Sequence, residues 1–208
     1  MSMLRFLDAA NALSLVGLWA GLATALLAAR GALAPALVAL VAAGLCDFFD
    51  GAVARRLQRT EEGARFGARL DTTVDAIAFG LAPAVLLHAA GLRSPGELVL
   101  LGLYVACAAW RLAYFDAVGP VTQRGRRAYV GLPVTYAALV FPLAFLAGFA
   151  GPEALRWAAG GSCALMAFWM VAPIAVPKPG GAWYPILFGL GIVLMALYGV
   201  LSGTYPSP

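Results

Sequence analysis

Four aspartates stand where two apolar runs meet a short polar stretch. The first run is bland to Leu45 and continues Cys46-Asp47-Phe48-Phe49-Asp50-Gly51-Ala52-Val53-Ala54-Arg55. The second opens Gly67-Ala68-Arg69-Leu70-Asp71-Thr72-Thr73-Val74-Asp75. Asp47 and Asp50 are three apart, and Asp71 and Asp75 four apart, so on helices each pair shares one face. Two antiparallel neighbours would then aim four carboxylates at one point. Such a cluster repels itself unless cations lie within it, and hard divalent ions such as Mg²⁺ or Mn²⁺ take oxygen ligands of this kind. Two ions bridged by carboxylates suit displacement at phosphorus. Two plainer readings compete. The acids could simply pair with nearby arginines, or they could line a cation or proton path in a transporter. A path would place acids deeper and on more helices.

The elements that must hold these residues are membrane helices. The 208 residues are 62% hydrophobic and only 12% charged, against about a quarter charged in soluble domains. One domain of this size cannot hide that much apolar surface, so lipid must cover it. Spans need roughly 20 apolar residues. Seven segments qualify: 12–29, 34–54, 70–92, 97–118, 132–149, 153–176 and 183–202. Turn chemistry separates them at Arg30-Gly31, Ser94-Pro95-Gly96, Gly119-Pro120, Gly151-Pro152 and Pro177 to Gly181. The expected fold is an all-α polytopic transmembrane bundle, one domain over 1–208, with its first helix retained rather than cleaved.

Charge sets the orientation. With the N-terminus inside, the inner segments carry Arg5, Arg55, Arg56, Arg59, Arg65, Arg69, Arg111, Arg124, Arg126, Arg127 and Lys178, and the outer ones only Arg30, Arg93 and Arg156. That is the positive-inside pattern. It accounts for the net charge of +4 without nucleic acid, and it puts the aspartates at the cytoplasmic side. Cys46, Cys107 and Cys163 lie in apolar segments without metal spacing and read as packing residues. His88 and the five tryptophans read as packing or interface residues.

The stretch from Asp47 to Asp75 closely resembles the signature of the CDP-alcohol phosphotransferases: Asp47-x-x-Asp50-Gly51-x-x-Ala54-Arg55, then Gly67-x-x-x-Asp71-x-x-x-Asp75. The helix layout also resembles that family's six-helix core, here with one extra C-terminal helix. The resemblance implies that Asp47, Asp50, Asp71 and Asp75 hold two divalent ions, that Asp75 is the general base on the acceptor hydroxyl, and that Gly51, Ala54 and Gly67 leave room for the CDP moiety. It gives Arg55 the diphosphate oxygens and suggests a homodimer. Eleven residues separate Arg55 from Gly67, roughly three more than usual in the family, which reads as a longer loop around Gln58 to Ala64.

Flanking residues bear on the acceptor alcohol. Asn11 resembles the asparagine that opens many members. Phe79-Gly80-Leu81-Ala82-Pro83-Ala84, Ala109 to Phe115 and Gly131-Leu132-Pro133 resemble the phosphatidylserine synthases, whereas Asp116 and Thr135-Tyr136 depart from them. The expectation is transfer of a phosphatidyl group from CDP-diacylglycerol to L-serine with release of CMP, in a prokaryotic cytoplasmic membrane. Inositol phosphate, glycerol 3-phosphate or another small alcohol is the alternative. Arg111 is the candidate for the serine carboxylate, against a headgroup-snorkelling role. Arg124, with Arg126 and Arg127, is the candidate for a phosphate-bearing acceptor, against plain attraction to anionic lipid.

Overall fold

The computed structural model describes residues 3–119, 121–123, 126–177 and 183–205. Seven helices follow a short 3₁₀ turn at Met3–Phe6: α1 (Ala9–Ala29), α2 (Leu33–Ala54), α3 (Glu61–Ala89), α4 (Pro95–Val118), α5 (Val134–Ala150), α6 (Pro152–Val171) and α7 (Trp183–Val200). Six are long and apolar enough to cross a membrane; α5 is shorter. The chain is an integral membrane protein with an all-α transmembrane bundle.

Small residues bring the helices that carry the aspartates together. On α1, a Cβ on Gly21 would lie 2.8 Å from the Cα of Ala78 on α3, and one on Gly17 would lie 3.2 Å from the Cβ of Cys46 on α2. This small-residue stripe is therefore used inside the chain, seating α1 against both neighbours. Leu37, Leu40, Phe79, Leu86, Tyr104, Phe141 and Phe145 fill the centre and are completely or almost completely buried.

α3 begins at Glu61, not near Leu70. Thr60 caps it by accepting from the Gly63 N–H at 3.1 Å, and Glu61 and Glu62 complement the helix dipole in the first turn. The residues expected to lengthen a loop thus partly extend a helix. Further on, α3 widens into a π-helical turn at Ala76–Leu81. Pro83 has no N–H to offer the carbonyl of Phe79, four residues back. Tyr104, from α4, donates its hydroxyl to that carbonyl at 2.5 Å. Removing this hydroxyl in Tyr104→Phe leaves a buried carbonyl one donor short. We expect a loss of about 1–2 kcal/mol, measurable as a lower midpoint of unfolding in mixed detergent micelles.

α6 stops at Val171, five residues before the expected end. Ala172 is extended (φ −62°, ψ 141°) because the residue before a proline, here Pro173, avoids the helical region. The chain then adds what the helical pattern did not foreshadow: a three-stranded antiparallel sheet of β1 (Val121–Gln123), β2 (Arg126–Val130) and β3 (Ala175–Pro177), in the order β1-β2-β3. Thr122 pairs with Arg127, and Tyr129 with Val176. Gly131 ends β2 with φ +75°. Its N–H donates to the Ile174 carbonyl at 2.9 Å, and the next, from Leu132, donates to the Trp169 carbonyl at 2.8 Å. The turn thereby ties β2 to the end of α6. The three cysteines are free, and His88 Nδ1 lies 3.1 Å from the Leu92 carbonyl.

Candidate active site

The last turns of α2 and the middle of α3 lie side by side, as the aspartate spacing requires. Asp47, Asp71 and Asp75 each place a carboxylate oxygen within 4.8 Å of the others. Asp75 is buried, and its Oδ1 has no hydrogen-bond partner. An unpartnered buried carboxylate oxygen amid two more carboxylates is costly alone. An all-oxygen set of this kind fits a hard divalent cation. Asp50, one turn after Asp47, is also buried and accepts from the Ser14 hydroxyl at 2.5 Å.

Two polar cavities meet at this cluster, with Gly51 and Asp71 in the walls of both. The first, of about 280 Å³, is lined by Asp47, Arg55, Thr72, Asp75, Arg111, Phe115, Asp116, Tyr129 and Tyr136 among others. Arg111 is buried, with its guanidinium 5.3 Å from the Phe115 ring centroid and 5.8 Å from that of Tyr129. Its Nε has no hydrogen-bond partner. Burial pushes the Tyr129 phenol above its usual range, so that residue keeps a neutral hydroxyl.

The second cavity, of about 220 Å³, is lined by Asn11, Ser14, Asp50, Ala54, Arg59, Ala64 and Gly67. Arg59 closes it. Its Nη2 donates to Asp8 at 2.6 Å and to the Asn11 side-chain oxygen at 3.0 Å. Partial burial pushes the Asp8 carboxyl up, but the hydrogen bonds from Arg59 and from the Asn11 N–H outweigh this and hold it below the usual range. Arg59 and Asn11 occupy the space that Gly67 leaves: a Cβ there would lie 2.7 Å from Arg59 Nη1 and 2.9 Å from Asn11 Oδ1, and those side chains would have to shift. A third, apolar groove of about 130 Å³ opens beside Asp47 between α2, α5 and α7, lined by Val41, Leu45, Phe48, Leu139, Leu187 and Phe188.

The structure therefore gathers all four aspartates with Gly51, Ala54, Arg55, Gly67 and Arg111 around adjoining cavities. Arg124 lies outside the described residues. Sequence reading passed over Arg59 and Ser14 as site residues. It also passed over Tyr129, which the sheet carries. Asn11 was noted only for its likeness to a motif. The polar Arg59 within an expected loop was the one available signal.

The chain is similar in sequence to several known proteins. The chain is 33% identical over 145 residues to an archaetidylserine synthase of Methanothermobacter thermautotrophicus, covering 69% of this chain and 60% of that one. It is 34% identical over 127 residues to a CDP-diacylglycerol–serine O-phosphatidyltransferase of Mycobacterium leprae, covering 59% and 41%. A Bacillus subtilis protein of the same name is 32% identical over 133 residues, covering 63% and 68%. The matched segments thus span less than two thirds of the first two relatives. A sequence model of the CDP-alcohol phosphatidyltransferase family matches residues 7–200, and the chain belongs to that family.

Proposed function

We propose that this protein transfers a phosphatidyl group from CDP-diacylglycerol to L-serine and releases CMP, at the cytoplasmic face of a prokaryotic membrane. The observation that carries the reading is the pair of polar cavities joined at a carboxylate cluster, within a chain whose relatives bear serine-transferase names. The nucleoside end of the donor is assigned to the second cavity, which Gly51 and Ala54 line, with Arg59 and Asn11 filling the space beside Gly67. The apolar groove beside Asp47 suits the start of the lipid chains. Arg55 lies where it can neutralise diphosphate oxygens. The positive-inside pattern supports the orientation.

The family is generally dependent on divalent metal. Asp47, Asp71 and Asp75, with Asp50 adjoining, would hold one or two ions, Mg²⁺ or Mn²⁺, which neutralise the diphosphate and stabilise departing CMP. The serine hydroxyl enters the first cavity beside Asp75. Asp75 Oδ1 accepts its proton while the serine oxygen bonds to the phosphorus that bears diacylglycerol. The bond from that phosphorus to the CMP oxygen breaks, and CMP leaves with the bonding pair. Arg111 receives the serine carboxylate.

The test is CMP release by purified protein in detergent with CDP-diacylglycerol, Mn²⁺ or Mg²⁺, and a panel of acceptors. Release that needs serine and metal is the expected result. Release with inositol phosphate or glycerol 3-phosphate and none with serine would overturn the acceptor. No release with any acceptor would overturn the transferase reading.

A further inference from the structure

Arg59, between α2 and α3, brings a positive charge to the wall of the second cavity, and the chemistry above leaves it unused. Its side chain is only 14% exposed. One nitrogen, Nη2, makes the hydrogen bonds to both Asp8 and Asn11. Nε is buried and has no hydrogen-bond partner among the described residues. A guanidinium carries donors only, and a buried donor left without an acceptor costs free energy. The head is fixed and one donor is unspent, so an acceptor atom from outside the chain completes it.

The helices say which acceptor that is. Gly51 and Asp71 mark the end of the cavity that meets the carboxylate cluster. Ala54 follows Asp50 by four residues on α2, and Gly67 precedes Asp71 by four on α3, each about 6 Å along its helix. Arg59 stands at this outer end, with Nη1 2.7 Å from where a Cβ on Gly67 would be. On its other side it lines a polar recess of about 400 Å³ with Arg5, Asp8, Thr60 and Glu62, so it is the partition between the two spaces. With the diphosphate at the carboxylate end, the pyrimidine base takes the outer end. Cytosine carries an acceptor at ring position N3. Uracil carries an N–H there, and would set donor against donor.

We propose that Arg59 is a specificity-determining residue that donates its Nε–H to N3 of the cytosine ring, and so selects a cytidine donor over a uridine one. This rests on the CDP-diacylglycerol reading and deepens it. A hydrogen bond from a charged donor is worth about one to two orders of magnitude in affinity. A site built around such a bond rejects an analogue that lacks the acceptor.

The experiment measures CMP and UMP as inhibitors of the transferase reaction in wild type, Arg59→Ala and Arg59→Lys. Lysine keeps the positive charge beside Asp8, which guards the fold, but has no donor in place of Nε. We expect wild type to bind CMP at least about tenfold more tightly than UMP. Both variants should raise the Ki of CMP about 10- to 100-fold and leave that of UMP within about threefold, so that the preference is lost. The Mn²⁺ concentration for half-maximal activity should stay within about twofold, because the carboxylate cluster is untouched. An unchanged Ki for CMP overturns the proposal, as does equal binding of CMP and UMP by wild type. So does an equal loss for both nucleotides or a shifted Mn²⁺ requirement, which marks a phosphate contact or a structural effect. Full recovery in Arg59→Lys overturns it too, since charge alone would then suffice. Wild-type protein that releases no CMP from CDP-diacylglycerol would instead overturn the functional reading itself, and this proposal with it.

Discussion

Asp75→Asn is expected to cut serine-dependent CMP release by about 10³-fold, within the range that positioned proton acceptors contribute. The substitution keeps shape and volume but removes the negative charge and the proton-accepting oxygen at a position whose Oδ1 has no protein partner. The fold should survive it. Asp75 shares its surroundings with Asp47 and Asp71 within 4.8 Å, so one charge fewer relieves repulsion between buried anions. In metal-free detergent the thermal midpoint should stay level or rise. Activity lost with stability kept is the signature of chemistry at Asp75. If the variant retains a tenth or more of the wild-type rate, Asp75 is not the base. If it loses the fold instead, the carboxylate is a structural group.

The second large effect concerns stability, at a residue far from the aspartates in sequence. Gly131→Ala should destabilise the protein by about 3 kcal/mol or more. Gly131 has φ +75°, and a Cβ there would lie 2.1 Å from the carbonyl oxygen of Met170 and 3.0 Å from its carbon. The left-handed backbone alone costs a side chain about 1–2 kcal/mol. The clash adds to that, because its partner is backbone at the end of α6 and cannot swing aside. Shifting it disturbs the hydrogen bonds from Gly131 and Leu132 to Ile174 and Trp169. It also moves Tyr129, two residues away in the cavity wall. Loss of folded protein in a mixed-micelle titration is the readout. Gly160→Ala, inside α6 with open space around its position, is the control and should be neutral or mildly stabilising. Equal behaviour of the two variants would refute the close-approach argument.

The two parts of the site differ in how far they could be read from the chain alone. The aspartates were legible because carboxylates at three- and four-residue spacing near a membrane boundary are costly unless they have work to do. The helices were legible because long apolar runs leave little choice of structure in lipid. The wall carried by β2 was not. Its strand is five residues long and polar at the start, and its partner β3 comes from beyond α6. No local periodicity announces such a pairing. Arg59 was hidden for another reason. Its place depends on a missing side chain at Gly67 and on Asn11, and only the packing of α1 beside α3 brings the three together. The start of α3 was misjudged because Glu61 to Arg69 is amphipathic and lies outside the apolar run.

The π turn in α3 has a consequence for how this helix tolerates change. A helix advances about 100° per residue, and a π turn accommodates one residue more than an α turn. The stretch up to Asp75 and the stretch from Ala82 onward are therefore out of phase by about that angle. Each half faces its own neighbours: Asp71 and Asp75 turn to the α2 carboxylate cluster, while Leu86 and Leu87 turn into the core. Deleting one residue between Ala76 and Leu81 would remove the extra residue of the π turn. It would also rotate one half against the other, so that either the aspartates or the leucines lose their partners. The irregular turn works as a gear between a catalytic frame and a packing frame, and the helix keeps both aligned only by staying imperfect.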